Sequence, residues 1–328
     1  MRMAFVLPYF GAWPDYWEIW ARSVASNQDV DFIIFTDLEA PSYVPTNIRL
    51  VYIKLSEVEL RLSDVVGIQV KLQRLHKICD YKPFYGLAFA DYLVGYDYWG
   101  YCDMDIVFGD LSNLKSRALS TMADFVSPWV YTVGHCNLLK NVERVNRVAL
   151  KTKDLHQRLQ VSFITFIDEG ALCETALNEG GFSFAVVDDL PAEWAKSVCF
   201  LGATADPTCR LCGLQGDFII HCSNGRVVVH GEDGRSHEVL YFHFMGMKHP
   251  RYWKDWDGES ADHFSFTPYG FVPRLVPPLE MHTLSFKWKS LRHRLPSQLY
   301  AFVRGLVPEP LVRRLKSALG RLKKKLAR

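Results

Sequence analysis

The chain has 328 residues, of which 49% are hydrophobic and 23% charged, so it is long enough for one large α/β domain or two small ones and too apolar for global disorder. Its formal net charge is only +2, but residues 284–328 hold 13 of the 38 Lys and Arg residues and a single acid. This basic tail on an acidic body indicates a polyanionic partner for the tail.

No export signal or membrane-spanning segment is predicted. The apolar run of MRMAFVLPYF is too short for a signal peptide, no small-residue cleavage site follows it, and no apolar run approaches about 18 residues. We therefore expect a cytoplasmic protein whose eight cysteines are reduced.

Apolar segments of strand length alternate with helical patterns along the chain. In the first third, the predicted strands are 3–7, 31–36, 48–53 and 98–102, and the predicted helices are 15–25 and 84–93. Later strands are predicted at 124–126, 132–139, 182–187, 218–220, 225–230 and 238–244, and later helices at 142–150 and 169–178. This alternation predicts an α/β fold with a doubly wound, mainly parallel sheet.

The composition divides the chain into three regions. Residues 1–255 form the predicted α/β domain, and residues 256–284, rich in Pro, Gly and aromatics, are predicted as a loop or linker. In the basic region 285–328, residues 311–328 carry leucines at helical spacing with Lys and Arg between them, which predicts a helix lying on an anionic membrane surface. The alternative is a helix docked on the acidic body. Nucleic acid is not an expected partner, because no recognised nucleic-acid-binding fold accompanies the segment.

Two carboxylates, Asp103 and Asp105, follow directly after the predicted strand 98–102. In open α/β sheets, ligands bind beyond the carboxyl ends of strands. Hard divalent cations take oxygen ligands and often bridge protein to phosphate. A D-x-D pair is common in solvated loops, but this pair ends an apolar strand and precedes a turn at Gly109. The segment therefore predicts a divalent-metal site that faces a diphosphate.

A second segment, YFHFMGMKHP, supplies complementary groups. His243 ends a predicted strand and can offer an imidazole that suits Mn²⁺. Gly246 allows close approach of the backbone to a ligand, and Lys248 can pair with phosphate as a point charge. The plain alternative is a buried strand histidine followed by a surface lysine.

Both segments resemble motifs of one enzyme family. The stretch CDMDIVFGDLSNL resembles the D-x-D segment of the retaining glycosyltransferases of family 8, and HFMGMKHPRYW resembles that family's closing H-F-x-G-x-x-K-P-W segment. In that family the histidine is the third metal ligand and the lysine contacts the diphosphate. His243 and Gly246 match by position, whereas Lys248 falls one residue early and His249 stands at the lysine's place.

A wider likeness, over residues 5–250, is to a group of uncharacterised bacterial polysaccharide-biosynthesis proteins. The resemblances imply a GT-A fold, a nucleotide-sugar donor with a uridine nucleotide as the default, and Mn²⁺ or Mg²⁺ held by Asp103, Asp105 and His243. They also imply a role in bacterial surface polysaccharide biosynthesis, with a glycan or lipid-linked acceptor. Together with the basic tail, this predicts a peripheral enzyme on the inner face of the cytoplasmic membrane.

The same resemblance implies roles for further residues. Tyr9 would stack on the nucleotide base, Asp37 would hold the base or ribose, and Lys82 would face the diphosphate. Their plain alternatives are a core tyrosine, a turn aspartate and a solvated lysine. Asp168 and Glu169 lie in a stretch similar to the family's D-Q-x-x-L, which faces the acceptor and the reacting sugar carbon.

Several reactions fit these residues. In a retaining enzyme, Asp168 or Glu169 would stabilise the cationic sugar carbon or bind the acceptor. In an inverting enzyme, the same acids are the candidates for the general base. A nucleotidyltransferase would be favoured by a Gly-rich, basic phosphate-binding loop after the first strand. The segment LPYFGAWP lacks such a loop. A non-catalytic sugar-binding or scaffold protein is the remaining alternative.

Four cysteines have the spacing C-x9-C-x2-C-x9-C, namely Cys199, Cys209, Cys212 and Cys222. A C-x2-C pair with flanking cysteines could hold structural zinc. The usual pattern of two C-x2-C pairs is missing, so free buried thiols are the alternative.

Overall fold

The computed structural model describes residues 1–128, 132–187, 217–232, 234–244, 247–248, 253, 263–283 and 285–289, and the backbone of 198–200. Several predictions fall wholly or partly outside the described residues, among them part of the linker predicted at 256–284. The others concern the membrane-binding segment 311–328, the close approach at Gly246, and the zinc set, of which Cys209 and Cys212 lie outside.

The secondary structure follows the predicted alternation of strands and helices. The described strands are β1 (Met3–Pro8), β2 (Asp31–Thr36), β3 (Ile48–Tyr52), β4 (Tyr98–Cys102), β5 (Ile106–Phe108), β6 (Phe125–Ser127), β7 (Cys136–Lys140), β8 (Phe184–Val186), β9 (Val198–Phe200), β10 (Phe218–Ser223), β11 (Arg226–Gly231), β12 (Ser236–Val239), β13 (Tyr241–His243), β14 (His263–Thr267) and β15 (Gly270–Val272). The described α-helices are α1 (Trp17–Ala25), α2 (Leu55–Val66), α3 (Tyr85–Ala88), α4 (Ser112–Thr121), α5 (Glu143–Arg147), α6 (Leu155–Gln160) and α7 (Leu172–Glu179).

A seven-stranded sheet with the order β3-β2-β1-β4-β7-β6-β8 forms the centre of the fold. Strand β1 pairs in parallel with β2 and β4, and the pairs β2–β3 and β6–β8 are also parallel. Strand β7 is the exception, because it runs antiparallel to both β4 and β6. The prediction of an α/β fold with a mainly parallel sheet is therefore confirmed.

Both faces of this sheet are covered, which explains why β1 is apolar along its whole length. One face carries Val6 and Phe35 and packs against buried side chains of α2, α3 and α5–α7. The other carries Phe5 and Phe32 and packs against α1 and α4. Helices on both faces make the sheet doubly wound, as predicted.

Two smaller sheets correct the sequence predictions. The strand predicted at 238–244 is two strands, because the chain passes at Leu240 from β12 in a five-stranded antiparallel sheet to β13 in a three-stranded sheet. The prediction of a loop at 256–284 is wrong for the residues of β14 and β15, because these two strands complete the five-stranded sheet beside β10. Phe264 and Phe266 of β14 are buried there, so the aromatic residues of this region form core.

Other differences concern helices and strand bounds. Helix α2 was not predicted, although Val58, Leu62 and Val66 form a buried stripe at helical spacing. The helix predicted at 84–93 is short turns of α and 3-10 helix that follow a 3-10 segment, Leu75–Phe84. The strand predicted at 132–139 begins only at Cys136. Among the described residues, no helix is long and apolar enough to cross a membrane.

Candidate metal and nucleotide site

Strand pairing brings the two predicted halves of the site together. Asp103 follows β4, and its N–H donates to the carbonyl oxygen of His135 at 3.1 Å. The chain then enters β5, which pairs antiparallel with β13 so that Ile106 lies opposite His243. The N–H of Phe244 donates to the carbonyl oxygen of Asp105 at 2.9 Å. This register places His243 beside the D-x-D pair, 138 positions away in sequence from Asp105.

The three predicted metal ligands converge. The ligand atoms of Asp103, Asp105 and His243 all lie within 4.8 Å of one another. His243 Nε2 is 3.3 Å from Asp105 Oδ1 and 4.0 Å from Asp103 Oδ2. Neighbouring ligands around an octahedral ion lie about 3 Å apart when each is ~2.1 Å from the metal. Two carboxylates and one imidazole at this separation therefore fit Mn²⁺ or Mg²⁺ with only small side-chain adjustment.

Two lysines pair with the carboxylates of this cluster. Lys248 Nζ lies 2.5 Å from Asp105 Oδ2, on a side chain that is 48% exposed. Lys82 Nζ lies 2.5 Å from Asp103 Oδ1 and also donates to the carbonyl oxygen of Gly134 at 2.7 Å. Lys82 is buried, so the plain alternative of a solvated lysine is wrong. Its ammonium is held by protein oxygens, while its side chain lines the cleft described below.

Asp168 and Glu169 lie beside the same lysine. Asp168 Oδ2 is 3.7 Å from Lys82 Nζ, so one ammonium links the D-x-D pair to the second acidic pair. Asp168 is buried and Glu169 is half-buried. The backbone of Gly134 fits against them, because a Cβ at this position would lie 2.4 Å from Asp168 Oδ2 and 3.1 Å from Glu169 Oε1.

Burial and the neighbouring charges separate the pKa values of these acids. Burial would raise the pKa of Asp105, but His243 and Lys248 outweigh it and hold the pKa well below its usual range. Burial raises the pKa of Asp168 to about 7, because Lys82 offsets it only in part and Asp103 adds negative charge. Burial also raises the pKa of Glu169. The carboxyl group of Asp105 is therefore ionised at neutral pH, whereas the pKa of Asp168 lies near neutral pH.

A cleft of about 290 Å³ opens over the cluster. It is lined by Tyr9, Asp103, Asp105, Lys82 and Lys248, five of the predicted site residues. The Tyr9 ring stacks on Trp13 with 5.5 Å between ring centroids and 5° between planes.

Asp37 is placed differently. It is exposed just beyond β2 and is not among the cleft-lining residues of the described chain. Gly246 lies outside the described residues.

Other residues that line the cleft, and one residue that stacks on His243, were not predicted. Tyr16 lines the cleft together with Asp103 and Asp105, and burial and the negative charge of Asp105 raise its pKa. The ring of His135 stacks on that of His243 at 4.5 Å, and burial and His243 hold its pKa well below its usual value. His76 and Cys79 also line the cleft. No sequence pattern marks these residues, because each reaches the site through tertiary packing alone.

Comparison with known proteins assigns the chain to a family. Residues 5–274 match the model of a family of unknown function (DUF6625), and the chain belongs to this family. A search of curated proteins finds no match.

Three solved structures illustrate the remote structural similarities. The galactosyltransferase LgtC in complex with donor and acceptor sugar analogues is 12% identical, with 79% of this chain and 93% of that chain covered and a TM-score of 0.42. Mouse xyloside xylosyltransferase 1 in its apo form is 11% identical, with coverage of 74% and 97% and a TM-score of 0.41. The glycosyltransferase GlyE of Streptococcus pneumoniae TIGR4 is 15% identical, with coverage of 57% and 45% and a TM-score of 0.32.

Proposed function

We propose that this chain is a metal-dependent glycosyltransferase of the GT-A fold that uses a nucleotide-sugar donor, with a uridine nucleotide as the default. The observation that carries the proposal is the convergence of Asp103, Asp105 and His243, two of which, Asp103 and Asp105, line the cleft together with Lys248. The resemblance of both segments to family 8 motifs supports the same function.

The donor would bind through its diphosphate. Asp103, Asp105 and His243 would hold Mn²⁺ or Mg²⁺, which when bound neutralises the negative charge that develops on a departing diphosphate. Lys248 is half exposed and has a flexible stem, so its ammonium can exchange Asp105 for a phosphate oxygen. The Tyr9 ring would then stack on the nucleotide base, and this ring is already supported by the stacked ring of Trp13.

Asp168 and Glu169 would act at the sugar. As the bond to the leaving group breaks, the sugar carbon gains positive character that a carboxylate oxygen stabilises. The family 8 resemblance implies that the enzyme would retain the anomeric configuration. An inverting reaction is the second candidate, because the pKa of Asp168, about 7, suits a base that takes the proton of an acceptor hydroxyl.

The acceptor would be a glycan or a lipid-linked oligosaccharide of bacterial surface polysaccharide biosynthesis. The basic sequence 311–328 would hold the enzyme on the inner face of the cytoplasmic membrane, where each basic residue near an anionic surface contributes about 1 kcal/mol. This arrangement would bring a cytoplasmic active site to a membrane-borne acceptor.

Calorimetric titration of the full chain with a panel of nucleoside diphosphates, with and without Mn²⁺, tests the proposal. We expect Mn²⁺-dependent binding of one nucleotide that Asp105→Ala abolishes. Asp64→Ala is the matched control, because Asp64 is an exposed carboxylate on α2 outside the cleft. If the folded wild-type chain binds no nucleotide, or binds one equally well without Mn²⁺, the proposal fails.

A further inference from the structure

Phe166 has an unusual backbone conformation and an unusual exposure. Its φ of 57° and ψ of 44° lie in the left-handed region, which bulky L-residues rarely adopt. Its side chain is 58% exposed, so little core packing favours a phenylalanine there. The residue is both strained and solvent-facing.

A buried carboxylate enforces this conformation from both sides. Asp80, which is fully buried, accepts the N–H of Thr165 at 2.8 Å and the N–H of Ile167 at 3.2 Å. It also accepts the hydroxyl of Thr165 at 3.0 Å. Since the residues before and after Phe166 are bound to one side chain, the backbone between them has little freedom.

The buried Lys77 completes this clamp. Its ammonium lies 2.6 Å from Asp80 Oδ2 and donates to the carbonyl oxygens of Arg158 at 2.7 Å and Phe163 at 2.9 Å. A buried charge pair with all its hydrogen bonds made is rigid, and breaking it leaves an uncompensated charge. Strain that is held so firmly by its surroundings is typical of ligand-binding and active sites.

The strained residue is joined directly to the acidic pair of the candidate site. Ile167 is buried, Asp168 follows it, and the N–H of Glu169 donates to the carbonyl oxygen of Phe166 at 3.4 Å. The clamp therefore fixes the backbone of Phe166 on the same turn as both carboxylates. Phe166 is not among the described residues that line the donor cleft, so its ring lies outside the space proposed for the nucleotide.

We propose that Phe166 forms an acceptor subsite in which its ring stacks on a sugar ring of the acceptor, while Asp168 and Glu169 face the hydroxyl that reacts. The inference rests on the proposed function. The apolar C–H face of a pyranose packs well on an exposed aromatic ring, and a residue whose backbone is already fixed loses little backbone entropy on binding. The adjacent carboxylates accept hydrogen bonds from sugar hydroxyls, which favours a carbohydrate over a lipid chain.

Saturation-transfer NMR with a panel of methyl glycosides, with Mn²⁺ and the nucleotide present, tests this subsite. We expect transfer to at least one glycoside from the wild type, about tenfold weaker binding for Phe166→Ala, and retained binding for Phe166→Tyr. Trp288→Ala is the matched control, because Trp288 is an aromatic residue of similar exposure, 65%, outside the cleft. No transfer from the wild type, or equal binding by Phe166→Ala, overturns the proposal.

Two further measurements distinguish a sugar subsite from a structural or membrane-binding role of the ring. Phe166→Ala should keep Mn²⁺-dependent nucleotide binding. If this variant binds the nucleotide and also binds the glycoside as well as the wild type does, the subsite is refuted and the proposed function is not. Phe166→Gly relieves the left-handed strain and should not lower the urea midpoint. A lower urea midpoint for Phe166→Gly would show that the ring stabilises the fold. Loss of binding to phosphatidylglycerol vesicles in Phe166→Ala would assign the ring to the membrane instead.

Discussion

Lys82 holds the two acidic pairs of the site together, and Lys82→Met tests this arrangement. Methionine keeps most of the side-chain length and removes the ammonium. The substitution takes the cation away from Asp103 Oδ1 at 2.5 Å, from the carbonyl oxygen of Gly134 at 2.7 Å and from Asp168 Oδ2 at 3.7 Å. The buried carboxylate of Asp168 and the carbonyl of Gly134 then lose a positive partner.

The size of the effect follows from burial. Removing one partner of a buried ion pair costs about 3–5 kcal/mol. The Asp103 side chain is 30% exposed and can be rehydrated, so we expect the lower end, about 3 kcal/mol, at pH 8. At pH 5 the cost should be smaller, because the pKa of Asp168, about 7, leaves its carboxyl protonated and neutral there.

Urea unfolding of Lys82→Met at pH 8 and pH 5 measures both effects. Adding Asp168→Asn to Lys82→Met should restore part of the free energy of unfolding at pH 8, because it removes the unpaired buried charge. Lys153→Met, at an exposed lysine, is the control. A loss below ~1 kcal/mol at pH 8, or a loss that is the same at both pH values, would refute the reasoning, since a surface lysine contributes that little.

Two further substitutions probe the same acids. Gly134→Ala should lower the free energy of unfolding by about 1–3 kcal/mol, because its Cβ would lie 2.4 Å from Asp168 Oδ2, whereas Gly170→Ala meets nothing within 4 Å and should not. Equal urea midpoints for the two variants would contradict the packing of Gly134 against Asp168. The pKa of Asp168 is raised in the folded chain from 3.8 to about 7, so its ionisation lowers stability as pH rises between these values. Asp168→Asn should therefore gain up to ~4 kcal/mol relative to the wild type between pH 4 and pH 8 in urea unfolding, and a constant difference would count against burial of the carboxylate.

The sequence predicted the parts of the site that have local signatures. Asp103 and Asp105 were predicted because an apolar strand ends in two acids, and β4 ends at Cys102 as that pattern requires. His243 was predicted as their partner by resemblance to a family motif. The pairing of β5 with β13 that joins them has no local signal, because Ile106–Phe108 is only three residues long.

The missed features depend on contacts between distant segments. No sequence pattern marks Asp80, yet it is the buried centre of a clamp that reaches Thr165, 85 positions away. The strands β14 and β15 lie in a sequence rich in Pro, Gly and aromatics, where turn residues hide the short alternation of HFSFT. Burial of Phe264 and Phe266 against the five-stranded sheet, rather than local propensity, makes this segment a strand.

The pairing of β5 with β13 would also tie metal binding at the proposed site to the cooperativity of folding. Closing a loop of more than a hundred residues has an entropic cost that only the complete fold offsets. The unfolded chain therefore does not preassemble Asp105 and His243, and an ion that binds them stabilises the native state by mass action. Removal of the ion should then lower the global stability, and a fragment that lacks β13 would lose the candidate ligand set even if the central sheet formed.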